Sequence, residues 1–193
     1  NKNDYCTVIK LFSLILIKTM NSLIFDTETS GLPIKNRYKY YNPKLIKYYK
    51  DSRIIEIAYN IIDEKGNILS SYNELVIPDN YEITNTRFHG ITTKMCIDSG
   101  KSINTILKKI SDDIDKFNVK SIISHNIDFD INILLAECYR YNNPLANKLL
   151  NCKRYCTMLE GKEYMNVYKW PKLEELYKYL FKKRIKQEHR AKS

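Results

Sequence analysis

Asp26 and Glu28 stand two residues apart at the end of the apolar run Ser22-Leu-Ile-Phe. If that run is a strand, its period of two turns both carboxylates to one face. Like charges held that close raise each other's pKa unless a cation sits between them, and hard carboxylate oxygens suit Mg²⁺. The same pair also fits a solvated acidic turn. A third acid, Asp130, falls where the apolar run Ser121-Ile-Ile-Ser124 gives way to His125-Asn126 and a helical pattern begins. There it could serve a metal or equally cap the first helical turn. His189, in Glu188-His189-Arg190-Ala191, reads on its own as a surface histidine.

The elements that must carry these residues can be read from hydrophobic spacing. Residues 22–27 form a short buried strand, and 53–62 and 68–77 are two further strands around the turn Asp63-Glu-Lys-Gly66-Asn67, a hairpin. Ile103, Ile106, Leu107, Ile110 and Ile114 predict an amphipathic helix over 102–117. A buried strand at 121–124 leads into a second helix over 129–141, with Ile131, Leu134, Leu135 and Cys138 along one side and Asn142-Asn143-Pro144 ending it. Leu173, Leu176, Tyr177 and Leu180 predict a third helix over 172–181. Strands followed by alternating strand and helix give an α/β domain, a mixed sheet flanked by helices.

At 193 residues the chain is one domain's worth, and 44% apolar with 28% charged residues excludes disorder for its bulk. Five Gly and five Pro exclude a collagenous chain, and no apolar run reaches the length of a membrane span, so no membrane partner is expected. The net charge of +10 permits a polyanionic partner. It does not demand one, because 25 of the 32 basic residues are Lys in a chain also rich in Ile, Asn and Tyr, the residues an AT-rich genome encodes most readily. Five scattered cysteines do not read as a disulfide framework, which points to a reducing, intracellular setting, cytoplasmic or nuclear. Cys152 and Cys156 lack the second ligand pair that a zinc site needs. Residues 8–17 are apolar but no small-residue cleavage site follows, and Met20 directly precedes the first strand. Residues 1–19 are therefore expected to lie outside the domain, which runs over 20–193.

Taken together, the blocks resemble the DEDD exonuclease superfamily, in its histidine-bearing DEDDh branch, to which the proofreading subunit of bacterial DNA polymerase III belongs. The resemblance covers Leu23 to Ser193. Phe25-Asp26-Thr27-Glu28-Thr29-Ser30-Gly31-Leu32-Pro33 matches the first exonuclease motif, His125-Asn126-Ile127-Asp128-Phe129-Asp130 the second, and His189-Arg190-Ala191 opens the third. Arg53-Ile-Ile-Glu-Ile-Ala58, His89-Gly90-Ile91-Thr92 and Lys172-Leu173-Glu174-Glu175-Leu176 fall where relatives carry similar blocks. The resemblance implies a ribonuclease H-like fold and metal-dependent removal of nucleoside 5′-monophosphates from single-stranded 3′ ends. Asp26, Glu28 and Asp130 would hold two Mg²⁺ or Mn²⁺ ions, and His189 would act as general base. Asp128 would be a loop or capping acid. The backbone at Thr29 would meet the terminal 3′-OH, and Leu32 would wedge against the last base. His125 and Asn126 would shape the loop beside the metals, or serve as plain loop hydrogen-bonders.

The family's fourth acid would fall one position past Ser193, so the resemblance implies a domain incomplete at its C-terminus and a 193-residue chain of weak or no activity. Between the first motif and Arg53, the segment Lys35 to Arg53 interleaves Tyr38, Tyr40, Tyr41, Tyr48 and Tyr49 with cations. Rings that stack and cations that seek phosphates suit single-stranded nucleic acid, with Tyr40 and Tyr41 the expected contacts; the alternative is a loop and short helix whose composition follows base bias. DNA and RNA remain equal candidates, as do proofreading beside a polymerase, repair and RNA trimming. A non-catalytic nucleic-acid-binding or interaction domain on the same fold is the competing reading.

Overall fold

The computed structural model describes residues 20–183. His189 and the extension 1–19 lie outside the described residues. In chain order the elements are β1 (Ser22–Thr29), β2 (Lys35–Asn36), β3 (Lys39–Tyr40), β4 (Ile54–Ile62), β5 (Ile68–Leu75), α1 (Thr86–His89), α2 (Thr93–Ser99), α3 (Ile103–Lys116), β6 (Ser121–Ser124), α4 (Ile127–Arg140), α5 (Leu145–Asn151), β7 (Lys153–Cys156), α6 (Thr157–Met165) and α7 (Leu173–Phe181).

A five-stranded mixed sheet runs in the order β5-β4-β1-β6-β7. The β4–β5 hairpin pairs antiparallel, as does β1 with β4, whereas β1–β6 and β6–β7 are parallel. The hairpin turn is closed by Asp63, whose Oδ1 accepts from the amides of Lys65 and Asn67, with Gly66 at φ 79°. β1 sits at the centre and buries both faces. Leu23 and Phe25 join Ile57, Tyr59, Ile61 and Ile122 under α3 and α4, and Ile24 packs with Ile62 and Ile123 on the opposite side. Alternation along β1 therefore puts Asp26 and Glu28 on the Ile24 face and Thr27 on the helix face.

The two large helices use this platform differently. α3 is amphipathic: Ile103, Ile106, Leu107, Ile110 and Ile114 are buried, and Ser102 Oγ caps its start by accepting from the Thr105 amide. Its Asp113 accepts a 2.7 Å hydrogen bond from the Tyr59 hydroxyl, fixing the helix over β4. α4 is buried almost all round, with Ile127, Ile131, Ile133, Leu134, Leu135, Ala136 and Cys138 inside. It begins two residues earlier than its apolar spacing predicts, because Asn126 adopts a left-handed conformation (φ 67°) that turns the chain directly from β6 into the helix.

Spacing alone overlooks four of the helices and β7. Lys153 and Arg154 of β7 are exposed, and the strand exists because its backbone pairs with β6 at the sheet edge. The Lys35–Arg53 segment is a small β2–β3 hairpin followed by a single helical turn over Ile46–Tyr49, packed across α4. Cys96, Cys138, Cys152 and Cys156 are buried free thiols, and burial pushes Cys138 up to about 12. Among the described residues, no helix is long and apolar enough to cross a membrane.

One buried ion pair ties sheet to helix. Arg53 at the head of β4 donates from Nε to Glu137 Oε1 at 2.6 Å and from Nη2 to Oε2 at 3.3 Å, with the two side chains 8% and 2% exposed. The guanidinium also donates to the Tyr141 hydroxyl and lies 4.4 Å from the Tyr81 ring centroid. Removing one partner strands the other charge without its main counter-ion. Arg53→Ala should therefore lower stability by about 3–5 kcal/mol in urea titration, and an Arg53→Met, Glu137→Met double variant should lose far less. Equal losses in both would show that packing, not charge pairing, governs this contact.

Candidate active site

The parallel pairing of β1 with β6 stops at Ile24 and Ile123. Three residues further on, the Thr27 amide has left the ladder on that side and needs an acceptor. Asp130, in the first turn of α4, supplies it: Oδ1 accepts from Thr27 N at 3.0 Å and from Thr27 Oγ1 at 2.8 Å, and Oδ2 accepts from Ser124 Oγ at 2.6 Å. One carboxylate thus fixes α4 to the ends of β1 and β6. Asp130 therefore does more than cap the first turn of its own helix, the alternative its sequence position allowed. Asp128 is exposed beside it, and its carbonyl accepts from Asn132 Nδ2.

Asp26 and Glu28 lie within β1, not in a turn beyond it, and both are half-buried. Glu28 stands directly across from Glu56 of β4, which is fully buried on the same face. Burial above all, then the charges of Asp130, Glu28 and Glu56, hold the Asp26 carboxyl well above the ordinary carboxylate range. Burial raises Asp130 to about 6, against the pull of the bonds from Ser124 and Thr27. Four carboxylates thus share one strand end. Glu56 is the acid that sequence reasoning did not single out; its signal was an acid inside the apolar strand Ile54–Ile62, and only the register with β1 puts it opposite Glu28. Thr27 and Ser124, the residues that hold Asp130, carried no signal.

The donor chemistry suits a hard divalent cation, which would relieve the mutual repulsion of Asp26, Glu28 and Asp130. Oδ2 of Asp130 keeps a lone pair beyond the Ser124 bond. Among the described residues, however, no three His, Cys, Asp or Glu side chains are grouped so that they could hold a metal ion.

The turn after the acids is rigid. Thr29 Oγ1 donates to the Gly31 carbonyl at 2.8 Å, the Ser30 amide donates to Arg53 O, and Ser30 Oγ donates to Asp51 O. A Cβ at Gly31 would lie 2.6 Å from the Asp51 carbonyl oxygen, so only glycine lets the two segments approach. A β-bulge between Glu28 and Thr29 turns the strand into this loop, which leaves Leu32 76% exposed at its tip.

His125 is engaged internally. Its Nε2 lies 3.1 Å from the Pro171 carbonyl, which can only accept, so that nitrogen carries the hydrogen and Nδ1 accepts from Thr157 Oγ1 at 3.0 Å. Burial pushes its pKa down to about 4, which keeps the ring neutral. His125 thus ties the β6–α4 loop to α6 and to the segment before α7, the loop-bonding role. Asn126 supplies the left-handed turn and its carbonyl accepts from Phe129 N.

The tyrosines of the insertion separate into different roles. Tyr41 stacks on Tyr48 at 3.7 Å between centroids and 8° between planes, and Tyr40 packs edge-on against Phe129 at 6.3 Å. Tyr49 is fully buried and its hydroxyl donates to the Tyr41 carbonyl. Tyr38, at the hairpin tip, is 94% exposed beside Arg37, which holds a left-handed φ of 57°.

A five-stranded mixed sheet with helices on its faces and acids at the end of its central strand is the ribonuclease H-like architecture of nucleases. Residues 23–193 match the family Exonuclease (RNase_T), and the chain belongs to that family. Among solved structures it is similar to E. coli exonuclease I in complex with a dA16 oligonucleotide, with TM-score 0.54 and 18% identity over 75% of this chain and 29% of that one. The apo form of exonuclease I matches with TM-score 0.54 and 18% identity over 76% and 31%, and its zinc-ion-bound complex with single-stranded DNA with TM-score 0.54 and 18% identity over 75% and 30%. The chain thus spans under a third of the length of these structures, and at this identity the likeness concerns the fold. No curated protein matches.

Carboxyls whose folded pKa lies above the unfolded value favour the fold most when protonated. That contribution is complete at low pH and is lost as pH rises from the ordinary carboxylate range through the folded values, near 6 for Asp130. In EDTA, Asp26→Asn should therefore match the parent in melting temperature at about pH 4 and exceed it by a few degrees at about pH 8. Mn²⁺ should act the other way, raising the parent's melting temperature at about pH 8, little at about pH 4, and not at all in Asp26→Asn. An Asp26→Asn protein no more stable than the parent in EDTA at the higher pH would sink this account.

Proposed function

We propose that this protein is a metal-dependent 3′–5′ exonuclease that hydrolyses single-stranded nucleic acid ends to nucleoside 5′-monophosphates. The observation that carries the reading is the convergence of Asp26, Glu28, Asp130 and Glu56 at one strand end in a chain of the exonuclease family. Burial and the neighbouring carboxylates hold Asp26 above its ordinary range, a repulsion that a divalent cation would relieve, and metal-assisted phosphodiester hydrolysis uses such a cation.

Asp26, Glu28 and Asp130 would hold Mg²⁺ or Mn²⁺, which supplies a nucleophilic water and neutralises charge on the leaving 3′ oxygen. The remaining work falls to the chain. His189 accepts the proton of the attacking water, a task His125 cannot share with both ring nitrogens occupied. The water oxygen bonds to the terminal phosphorus as the bond from phosphorus to the 3′ oxygen of the preceding nucleotide breaks, and that oxygen takes its proton from solvent. The rigid turn at Thr29 to Gly31 gives the terminal 3′-OH a fixed backbone to meet, and Leu32 is exposed to pack on the last base. The oligonucleotide complexes of exonuclease I support a single-stranded substrate. Buried free thiols suit an intracellular setting.

The test incubates 5′-labelled single-stranded DNA and RNA of one sequence with Mg²⁺ and the chain continued in frame past Ser193, where the family resemblance puts a fourth acid, in parallel with EDTA and with Asp26→Ala. A ladder shortening from the 3′ end, lost in both controls, is expected; retention of the strand with no ladder would leave the binding-domain reading instead. In the insertion, Tyr38→Ala should weaken single-strand affinity by about fivefold or more in fluorescence anisotropy without changing the melting temperature. Tyr41→Ala, which breaks the Tyr48 stack, should lower the melting temperature first. The reverse pattern would return the contact to Tyr41.

A further inference from the structure

Between α6 and α7 the chain reads Asn166-Val-Tyr168-Lys169-Trp170-Pro171-Lys172. Tyr168 is fully exposed and Trp170 is 65% exposed. Single exposed aromatics need no explanation. Two of them, alternating with lysines on a segment fixed along its length, do.

The fixing is explicit. Asn166 ends α6 in a left-handed conformation (φ 52°), and the Val167 amide donates to the Lys162 carbonyl. Glu175 accepts from the Lys169 ammonium and, through Oε2, from the Lys172 amide at 2.8 Å. Pro171 is buried, and its carbonyl accepts from His125. The backbone on both sides of the rings is thus tied down, which lowers the backbone entropy left to lose on binding. His125 lies five residues before Asp130, so this anchor joins the segment to the loop that leads into α4 and Asp130.

We infer that Tyr168 and Trp170 form a stacking platform for the bases of single-stranded nucleic acid upstream of the reacting 3′ end. This rests on the exonuclease reading for the location of that end. The chemistry favours a nucleic acid over a protein: flat exposed rings, Lys172 close after them for a phosphate, and a chain of net charge +10. The β2–β3 hairpin meets α4 through Tyr40 and Phe129. A strand leaving the site could engage either arm, and the two arms together would hold several nucleotides.

Trp170 is the single tryptophan of the chain, so its emission reports this surface alone. The full chain in EDTA, which prevents turnover, is titrated with fluorescein-labelled oligothymidylate and read by anisotropy; in parallel, unlabelled oligothymidylate is followed by Trp170 emission. Saturable quenching with the same midpoint as the anisotropy curve is expected. Trp170→Ala should weaken binding by about tenfold, as for a lost base stack. It should leave both the melting temperature and the slope of affinity against salt unchanged, because no phosphate contact is removed. Trp170→Phe should recover part of the loss.

Anisotropy binding without quenching, or with an unchanged Trp170→Ala affinity, overturns the platform and leaves the exonuclease reading standing. Quenching in a protein that yields no ladder with Mg²⁺ does the opposite. Absence of any oligonucleotide binding removes both and leaves these rings to a protein partner.

Discussion

The carboxylate of Asp130 is where the fold and the chemistry become the same problem. Its three hydrogen bonds close the gap left where β1 and β6 stop pairing, and they fix the start of α4 against both strands. Without that closure the Thr27 amide would be buried without its acceptor, and the helix that fills most of the core would lose its register at the site. The closure also imports a negative charge beside Asp26, Glu28 and Glu56. A fold that needs an acid there must either keep it protonated or find a cation for the group.

The rest of the molecule divides along that requirement. Away from the strand end, buried charge is neutralised within the chain: Arg53 meets Glu137, and Asp113 is shared by Tyr59, Ser70 and Lys109. These are satisfied networks of the kind that fix one packing. At the strand end the acids cluster instead. His125, beside them, is held neutral by burial, with both nitrogens spent on anchoring neighbouring loops.

Around that edge the chain arranges rigid presentation. Gly31 lets the turn after Glu28 press onto Asp51, and this leaves Leu32 outward. The β2–β3 hairpin leans on Phe129 through Tyr40, one residue before Asp130. The segment ending at Pro171 leans on His125. Each of these outer elements is fastened to the loop or helix turn that holds the acids, so their relative positions are set by the same few contacts.

The sequence by itself determined the α/β class, the central strand with its two acids on one face, and the strand-to-helix junction at Asp130, because these follow from local periodicity and from residue types with narrow uses. It also carried the motifs that identify the exonuclease family. Only the tertiary structure decided what depends on register and on surfaces brought together from far apart in the chain. Glu56 becomes part of the acidic cluster because β4 pairs with β1 so that it faces Glu28. β7 is a strand because β6 offers it an edge. Tyr49, which composition groups with Tyr38, is taken out of solvent by the packing across α4, and Tyr41 is half-covered in its stack on Tyr48. Trp170 is exposed while the adjacent Pro171 is buried, a difference that no local spacing carries.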